Sequence, residues 1–161
     1  MSFGEAIKSV FSKYATFSGR ARRSEYWYFY LFNILVSIVL TILARVVPSL
    51  IYLSYIYSLA VLIPGLAVAV RRLHDIGKSG WYLLAPLVPY LLLIIVIVFA
   101  FVLGNEPSTL LWIIIGIFVL GVLALTIMLL VWLCTDSQPG ENKWGPNPKE
   151  MPNSGPNATF F

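Results

Sequence analysis

Four apolar runs, residues 26–44, 49–70, 81–103 and 110–133, contain no Asp, Glu, Lys, Arg or His. A helix rising ~1.5 Å per residue crosses a ~30 Å hydrocarbon core in ~20 residues, so each run is long enough to span a membrane once. Backbone polar groups find no water in the bilayer, and the runs lack the period-two alternation of a barrel, so the spans are expected to be helices. Only 11% of the residues are charged and 59% are hydrophobic, against about 25% charged in an average soluble domain. The expectation is an all-α polytopic membrane protein.

Basic residues set the expected orientation. Lys8, Lys13, Arg20, Arg22 and Arg23 precede the first run; Arg71, Arg72 and Lys78 lie between the second and third; Lys143 and Lys149 follow the fourth. The alternate side has only Arg45. The positive-inside rule therefore predicts cytoplasmic termini and a cytoplasmic middle loop. The net charge of +4 then reflects topology and contact with anionic headgroups rather than nucleic-acid binding. No apolar h-region precedes residue 26, so no cleaved signal peptide is expected.

Outside the spans, Phe3, Ile7, Val10, Phe11 and Tyr14 recur at helical spacing opposite Glu5, Lys8, Ser9, Ser12 and Lys13. That periodicity predicts an amphipathic helix within residues 1–16, started by Ser2 and Glu5 at capping-box spacing. Such a helix suits either the headgroup plane or the end of the bundle. Residues 17–135 then form the transmembrane domain and 136–161 a Pro/Gly/Asn-rich cytoplasmic tail, expected to be disordered from 151. Within the spans, Asn33, Ser37 and Thr41, and Ser54, Ser58, Gly65 and Ala69, form stripes suited to helix contact. Pro64, Pro86 and Pro89 are expected to kink or loosen helices. Cys134 is expected to be an inert small apolar residue.

Residues with chemistry concentrate in three segments that the predicted topology returns to one membrane face: 17–27, 71–81 and 140–148. Arg20, Arg23, Glu25, Arg71, Arg72, His74 and Asp75 form a candidate ion-pair or anion-binding cluster, with Trp27, Trp81 and Trp144 as interfacial aromatics. Gly77 suits a left-handed helix cap, and Ser79 suits the N-cap of span three. Adjacent His74 and Asp75 do not face each other on a helix, and no nucleophile or third ligand accompanies them, so neither catalysis nor a metal or cofactor is expected.

These segments resemble the YhaH-like family of small bacterial inner-membrane proteins, catalogued as a domain of unknown function. The first carries G-R-x-x-R-x-E-[FY]-W as Gly19, Arg20, Arg23, Glu25, Tyr26 and Trp27. The second carries R-R-L-H-D-x-G-x-S-G-W as Arg71, Arg72, Leu73, His74, Asp75, Gly77, Ser79, Gly80 and Trp81. The third fits G-x-N-x-[YF]-G-x-x-P through Gly140, Asn142, Gly145 and Pro148, with Trp144 replacing the Tyr or Phe. The resemblance implies a four-helix inner-membrane protein and supplies no reaction. The resulting expectation is a non-enzymatic structural, regulatory or lipid-interacting component with anionic lipids, a membrane protein or a second copy as partner. A neutral-solute channel or transporter, and a lipid-headgroup-modifying enzyme, are the alternatives.

Overall fold

The computed structural model describes residues 1–102 and 108–150. Residues 103–107, between the third and fourth apolar runs, and the tail from 151 that is expected to be disordered lie outside them. The helices are α1 (Phe3–Ser12), α2 (Arg23–Val46), α3 (Ile51–Asp75), α4 (Leu87–Val102) and α5 (Thr109–Cys134). Short 3-10 segments, Pro48–Leu50 and Gly80–Leu84, precede α3 and α4. Four segments are long and apolar enough to cross a membrane: Arg23–Val46, Pro48–Asp75, Gly80–Val102 and Thr109–Cys134. Among the described residues there is no β-strand, only an isolated bridge between Asn142 and Gly145.

The chain divides into two compact units, Met1–Gly80 with the residues from Thr135 onward, and Trp81–Cys134. In the first, α1 begins with a reciprocal capping box: the Ser2 amide donates to Glu5 Oε2 at 2.7 Å, and the Glu5 amide donates to Ser2 Oγ at 3.4 Å. Those hydrogen bonds hold the Glu5 carboxyl below its usual pKa. Ala6 and Val10, one helical turn apart, are fully buried, and Val10 joins Ala21, Phe29 and Val68 in the core of the unit. Phe11 meets Phe29 and Phe32 edge-on, and Phe3 meets Tyr28. The amphipathic face of α1 therefore packs on α2, with its aromatics only partly covered.

A short connection joins α2 to α3. Val47 is extended and Pro48 occupies the first 3-10 position, where its missing N–H interrupts no intrahelical bond. Of the polar stripe on α2, Asn33 makes a bond between helices, accepting from Tyr57 Oη at 2.7 Å while donating to the Phe29 carbonyl of its own helix. Thr41 and Ser58 instead donate to the carbonyls of Ser37 and Ser54 within their own helices. Gly65 brings α3 close to α2: a Cβ there would lie 3.9 Å from the Phe29 ring.

Pro64 lies inside α3, and its missing N–H deprives the Ala60 carbonyl of its helical partner. The Tyr14 hydroxyl donates to that carbonyl at 2.5 Å. A residue beyond the end of α1 thus satisfies a backbone group that the proline leaves open in a spanning helix.

In the second unit, the third apolar run is not one continuous helix. A 3-10 segment ends at Leu84, Ala85 and Pro86 form a turn, and α4 starts at Leu87. Pro86 lacks a donor and disfavours the helical conformation of Ala85, whereas Pro89 sits harmlessly in the first turn of α4. Ser79 consequently precedes a 3-10 segment rather than the α-helix expected from its sequence position. Tyr82 packs edge-on against Trp132 at 5.1 Å, and Pro89 lies against Gly121.

Replacing Tyr14 with Phe is expected to destabilise the protein by about 1 kcal/mol, the usual order for a lost hydrogen bond. In a Pro64→Ala background the cost should largely vanish, because residue 64 then supplies its own N–H to Ala60. Denaturation in detergent micelles across this double-mutant cycle measures the coupling; equal costs in both backgrounds would contradict the assignment.

Candidate functional site

The C-terminal end of α3 is where the three conspicuous segments meet. Its last turn closes as a Schellman motif: the Lys78 amide donates to the Leu73 carbonyl at 2.9 Å and the Gly77 amide to the His74 carbonyl at 3.1 Å. Gly77 adopts φ +76°, a left-handed conformation that a side chain disfavours. A Cβ there would also come within 2.7 Å of Gln138 Oε1. The Asp75 carbonyl is reached by the tail, accepting from the Gln138 amide at 2.9 Å.

Asp75 has no exposed surface. Arg20 Nε donates to its Oδ1 at 3.0 Å, while Arg72 Nη1 and Ser137 Oγ each donate to Oδ2 at 2.6 Å. Two guanidinium groups and a hydroxyl occupy three of this carboxylate's roughly four acceptor positions, and its burial between two arginines does not suit general-base work. The rest of Arg20 is equally engaged. Nη1 donates to the carbonyls of Gly140 at 2.7 Å and Gly145 at 3.2 Å, and Nη2 to those of Asp75 at 3.2 Å and Gln138 at 2.5 Å. A guanidinium has five N–H donors, and here five contacts to protein oxygens account for them. Arg72 Nη2 also donates to the Thr135 carbonyl.

A second buried pair ties α1 and α2 to α3. Arg71 Nη2 donates to Glu25 Oε1 at 3.2 Å, an oxygen that also accepts from Ser9 Oγ at 3.1 Å. Arg71 Nη1 holds the carbonyls of Thr16 at 2.7 Å and Lys13 at 3.2 Å, the segment just past α1. The Ala21 amide donates to the Arg71 carbonyl at 3.0 Å. Arg71 Nε is buried without a hydrogen-bond partner.

Around these pairs lies a more open rim. The His74 ring stacks on Trp144 at 4.4 Å with a 10° interplanar angle, and its Nδ1 lies 3.3 Å from the Gly19 carbonyl. Asn142 shapes the tail turn by donating to the His74 carbonyl at 2.9 Å and accepting from the Trp144 amide at 3.0 Å. Lys143 Nζ sits 4.1 Å from the Trp144 ring centroid. Arg22 donates to the Pro148 carbonyl rather than pairing with Glu25 three residues on. Arg23 pairs with Asp136 at 3.4 Å on the exposed surface. Hydrogen bonds from Lys149 and the Ser137 amide hold the Asp136 carboxyl below its usual range.

The structure therefore brings Arg20, Arg71, Arg72, Glu25, His74 and Asp75 into one buried assembly and leaves Arg23 at its edge. Of the three tryptophans, Trp144 belongs to the assembly, Trp27 packs with Tyr26 and Tyr30 along α2, and Trp81 falls in the other unit and is exposed. Sequence reasoning placed Ser9 and Tyr14 only on the two faces of the N-terminal helix, and did not single out Ser137 or Gln138. Pro64 marks Ala60 as a carbonyl seeking a donor, but nothing in the sequence marks which side chain supplies it. Among the described residues, no three His, Cys, Asp or Glu are placed to hold a metal ion.

The family described as "Protein of unknown function (DUF805)" matches residues 14–109. The chain is also similar to two inner membrane proteins of Escherichia coli strain K12. It is 35% identical to YhaI over 142 residues, covering 88% of this chain and 92% of the relative. With YhaH the identity is 33% over 148 residues, covering 89% and 95%. No solved structure matches the chain. The family match includes Tyr14, Arg20, Glu25 and the Arg71–Asp75 turn, and both longer alignments extend beyond that match.

Proposed function

Because the chain belongs to the DUF805 family, as an integral membrane protein related to inner-membrane proteins, we propose that it is a non-enzymatic membrane component whose clustered charges act as a structural clamp. The clamp joins α1, the start of α2, the end of α3 and the tail into one rigid platform. The supporting observation is the complete engagement of Arg20 by Asp75 and four backbone carbonyl contacts. An arginine poised for a phosphate or headgroup would keep part of its donor fork open. The Asp75 carboxylate is buried and paired with two guanidinium groups, which argues against lipid-headgroup chemistry at the adjacent His74. With no Asp, Glu, Lys, Arg or His inside the four apolar runs, ion-coupled transport lacks its usual carriers.

In this reading all four apolar segments cross the membrane and both termini are cytoplasmic. The distribution of basic residues supports that orientation, with ten of the eleven Lys and Arg before the first span, between the second and third, or after the fourth.

The clamp is tested by comparing Glu25→Gln with Arg72→Ala. Breaking a buried pair costs about 3–5 kcal/mol by leaving a charge uncompensated, so both variants should unfold at lower temperature in detergent. Exchanging the charges of Glu25 and Arg71 should recover part of that loss. An Arg72→Ala protein that keeps its thermal stability but retains less anionic lipid would identify a headgroup site instead. For orientation, cysteines at Ser12 and Ser79 in a Cys134→Ala background should be labelled only from the cytoplasmic side, and one at Ser108 from outside. Labelling of Ser79→Cys by an impermeant reagent added to intact cells would reverse the assignment.

A further inference from the structure

Arg20, Arg71 and Arg72 face inward, whereas two lysines of the N-terminal segment do not. Lys8 and Lys13 are exposed, and neither forms an ion pair among the described residues. The same segment exposes large aromatic side chains: Phe3, Phe11, Tyr14 and Phe17 remain 38%, 39%, 41% and 42% accessible. Its one acid, Glu5, is exposed and bonded to Ser2 at the start of α1, where hydrogen bonds lower its pKa and keep it ionised. With two lysines against one carboxylate, the exposed surface of this segment is aromatic and carries a net basic charge.

The Tyr14 hydrogen bond fixes its depth. The segment Pro48–Asp75 has 28 residues, about 42 Å of helix against a hydrocarbon core of about 30 Å. Its charged residues, Arg71, Arg72 and Asp75, and its one histidine, His74, all lie at one end, so the excess length belongs there. The hydrocarbon boundary then falls near Ala67, and Ala60 lies about 10 Å deeper along the axis. Tyr14 reaches Ala60 with its hydroxyl, while Arg71, on the charged side of that boundary, holds the carbonyls of Lys13 and Thr16. The end of α1 is thereby pinned between charged layer and hydrocarbon, within the ~5–10 Å burial of an interfacial helix.

We infer that the outer surface of the segment from Phe3 to Phe17 is a lipid-binding surface selective for anionic phospholipids in the adjoining leaflet. Phe3, Phe11 and Phe17 lie among the upper acyl carbons, and Lys8 and Lys13 meet the phosphates above them. The surface is part of the folded unit, because Ser9, Tyr14, Lys13 and Thr16 are all bonded to α2 or α3, so it presents a fixed array to the leaflet. This placement moves headgroup recognition away from the buried arginines and does not depend on the clamp reading; which leaflet is engaged follows from the orientation.

The test uses the full chain in nanodiscs of phosphatidylcholine alone or with an equal part of phosphatidylglycerol. A spin label at Phe17→Cys, in a Cys134→Ala background, should be relaxed by oxygen and shielded from an aqueous nickel chelate in both lipids. In the mixed discs the phosphatidylglycerol retained around the protein after mild detergent extraction, read by mass spectrometry, should exceed its input share. The Lys8→Gln/Lys13→Gln variant should lose that enrichment, by up to roughly fivefold per lysine, with its melting temperature unchanged. High salt should weaken the enrichment in the parent protein. A label at Phe17 that is open to the nickel chelate would overturn the inference, as would enrichment unaffected by the lysine substitutions. Failure of the clamp would appear separately, in the unfolding of the Glu25 and Arg72 variants.

Discussion

A carboxylate with no access to water, Asp75, holds the end of α3 to both flanking segments of the chain. Burying an ionised group is unfavourable unless opposite charge and hydrogen bonds surround it. Asp75 meets that requirement with Arg20, Arg72 and Ser137, which come from three separate segments. Arg20 extends the connection to the tail carbonyls, and Arg71 with Glu25 extends it to α1 and the start of α2. The polar network and the helix cap thus reinforce each other: Gly77 turns the chain so that Gln138 can approach, and Gln138 then satisfies the Asp75 carbonyl.

The apolar part of the same unit is held together differently. Lipid solvates leucine as well as protein does, so side-chain burial contributes little to helix association in the bilayer. The spanning helices accordingly leave many large hydrophobic side chains exposed. Among the described residues, the specific contacts of the first unit include the Tyr57–Asn33 bond, the small core of Val10, Ala21, Phe29 and Val68, the Phe11 ring against Phe29 and Phe32, and Tyr14 at the carbonyl opened by Pro64. This contrast between a lightly connected apolar part and a densely bonded polar end supports the platform reading.

Hydropathy made the four apolar segments legible, and the three motif segments made their convergence legible, because spans of similar length return alternate loops to the same side. The pairing inside the cluster was not legible. Arg20, Arg22, Arg23, Arg71 and Arg72 are chemically equivalent in sequence, and the choice among them depends on the direction each side chain takes from a turn or helix end. Arg22, only three residues from Glu25, bonds instead to the Pro148 carbonyl, while Glu25 pairs with Arg71 forty-six residues away. Pro86 announced a disturbance in the third run, but the extent of the break depended on the conformation of Ala85. The docking of α1 was balanced in sequence between membrane and bundle; its small residues Ala6 and Val10 fit against α2, while its larger aromatics remain partly uncovered.

The claim that the Arg20 fork organises the charged end is tested most directly by amide hydrogen exchange in nanodiscs, comparing the parent protein with Arg20→Lys. Lysine keeps the charge but replaces five planar donors with a compact ammonium. The Gln138 amide bonded to Asp75, and the amides of Asn142 and Gly145 bonded across the tail turn, should be protected in the parent and exchange much faster in the variant. Amides in the middle of α2 should be unchanged. Equal protection of the tail amides in both proteins would contradict the account, because it would show that charge alone, without the guanidinium fork, is sufficient to hold the tail on α3.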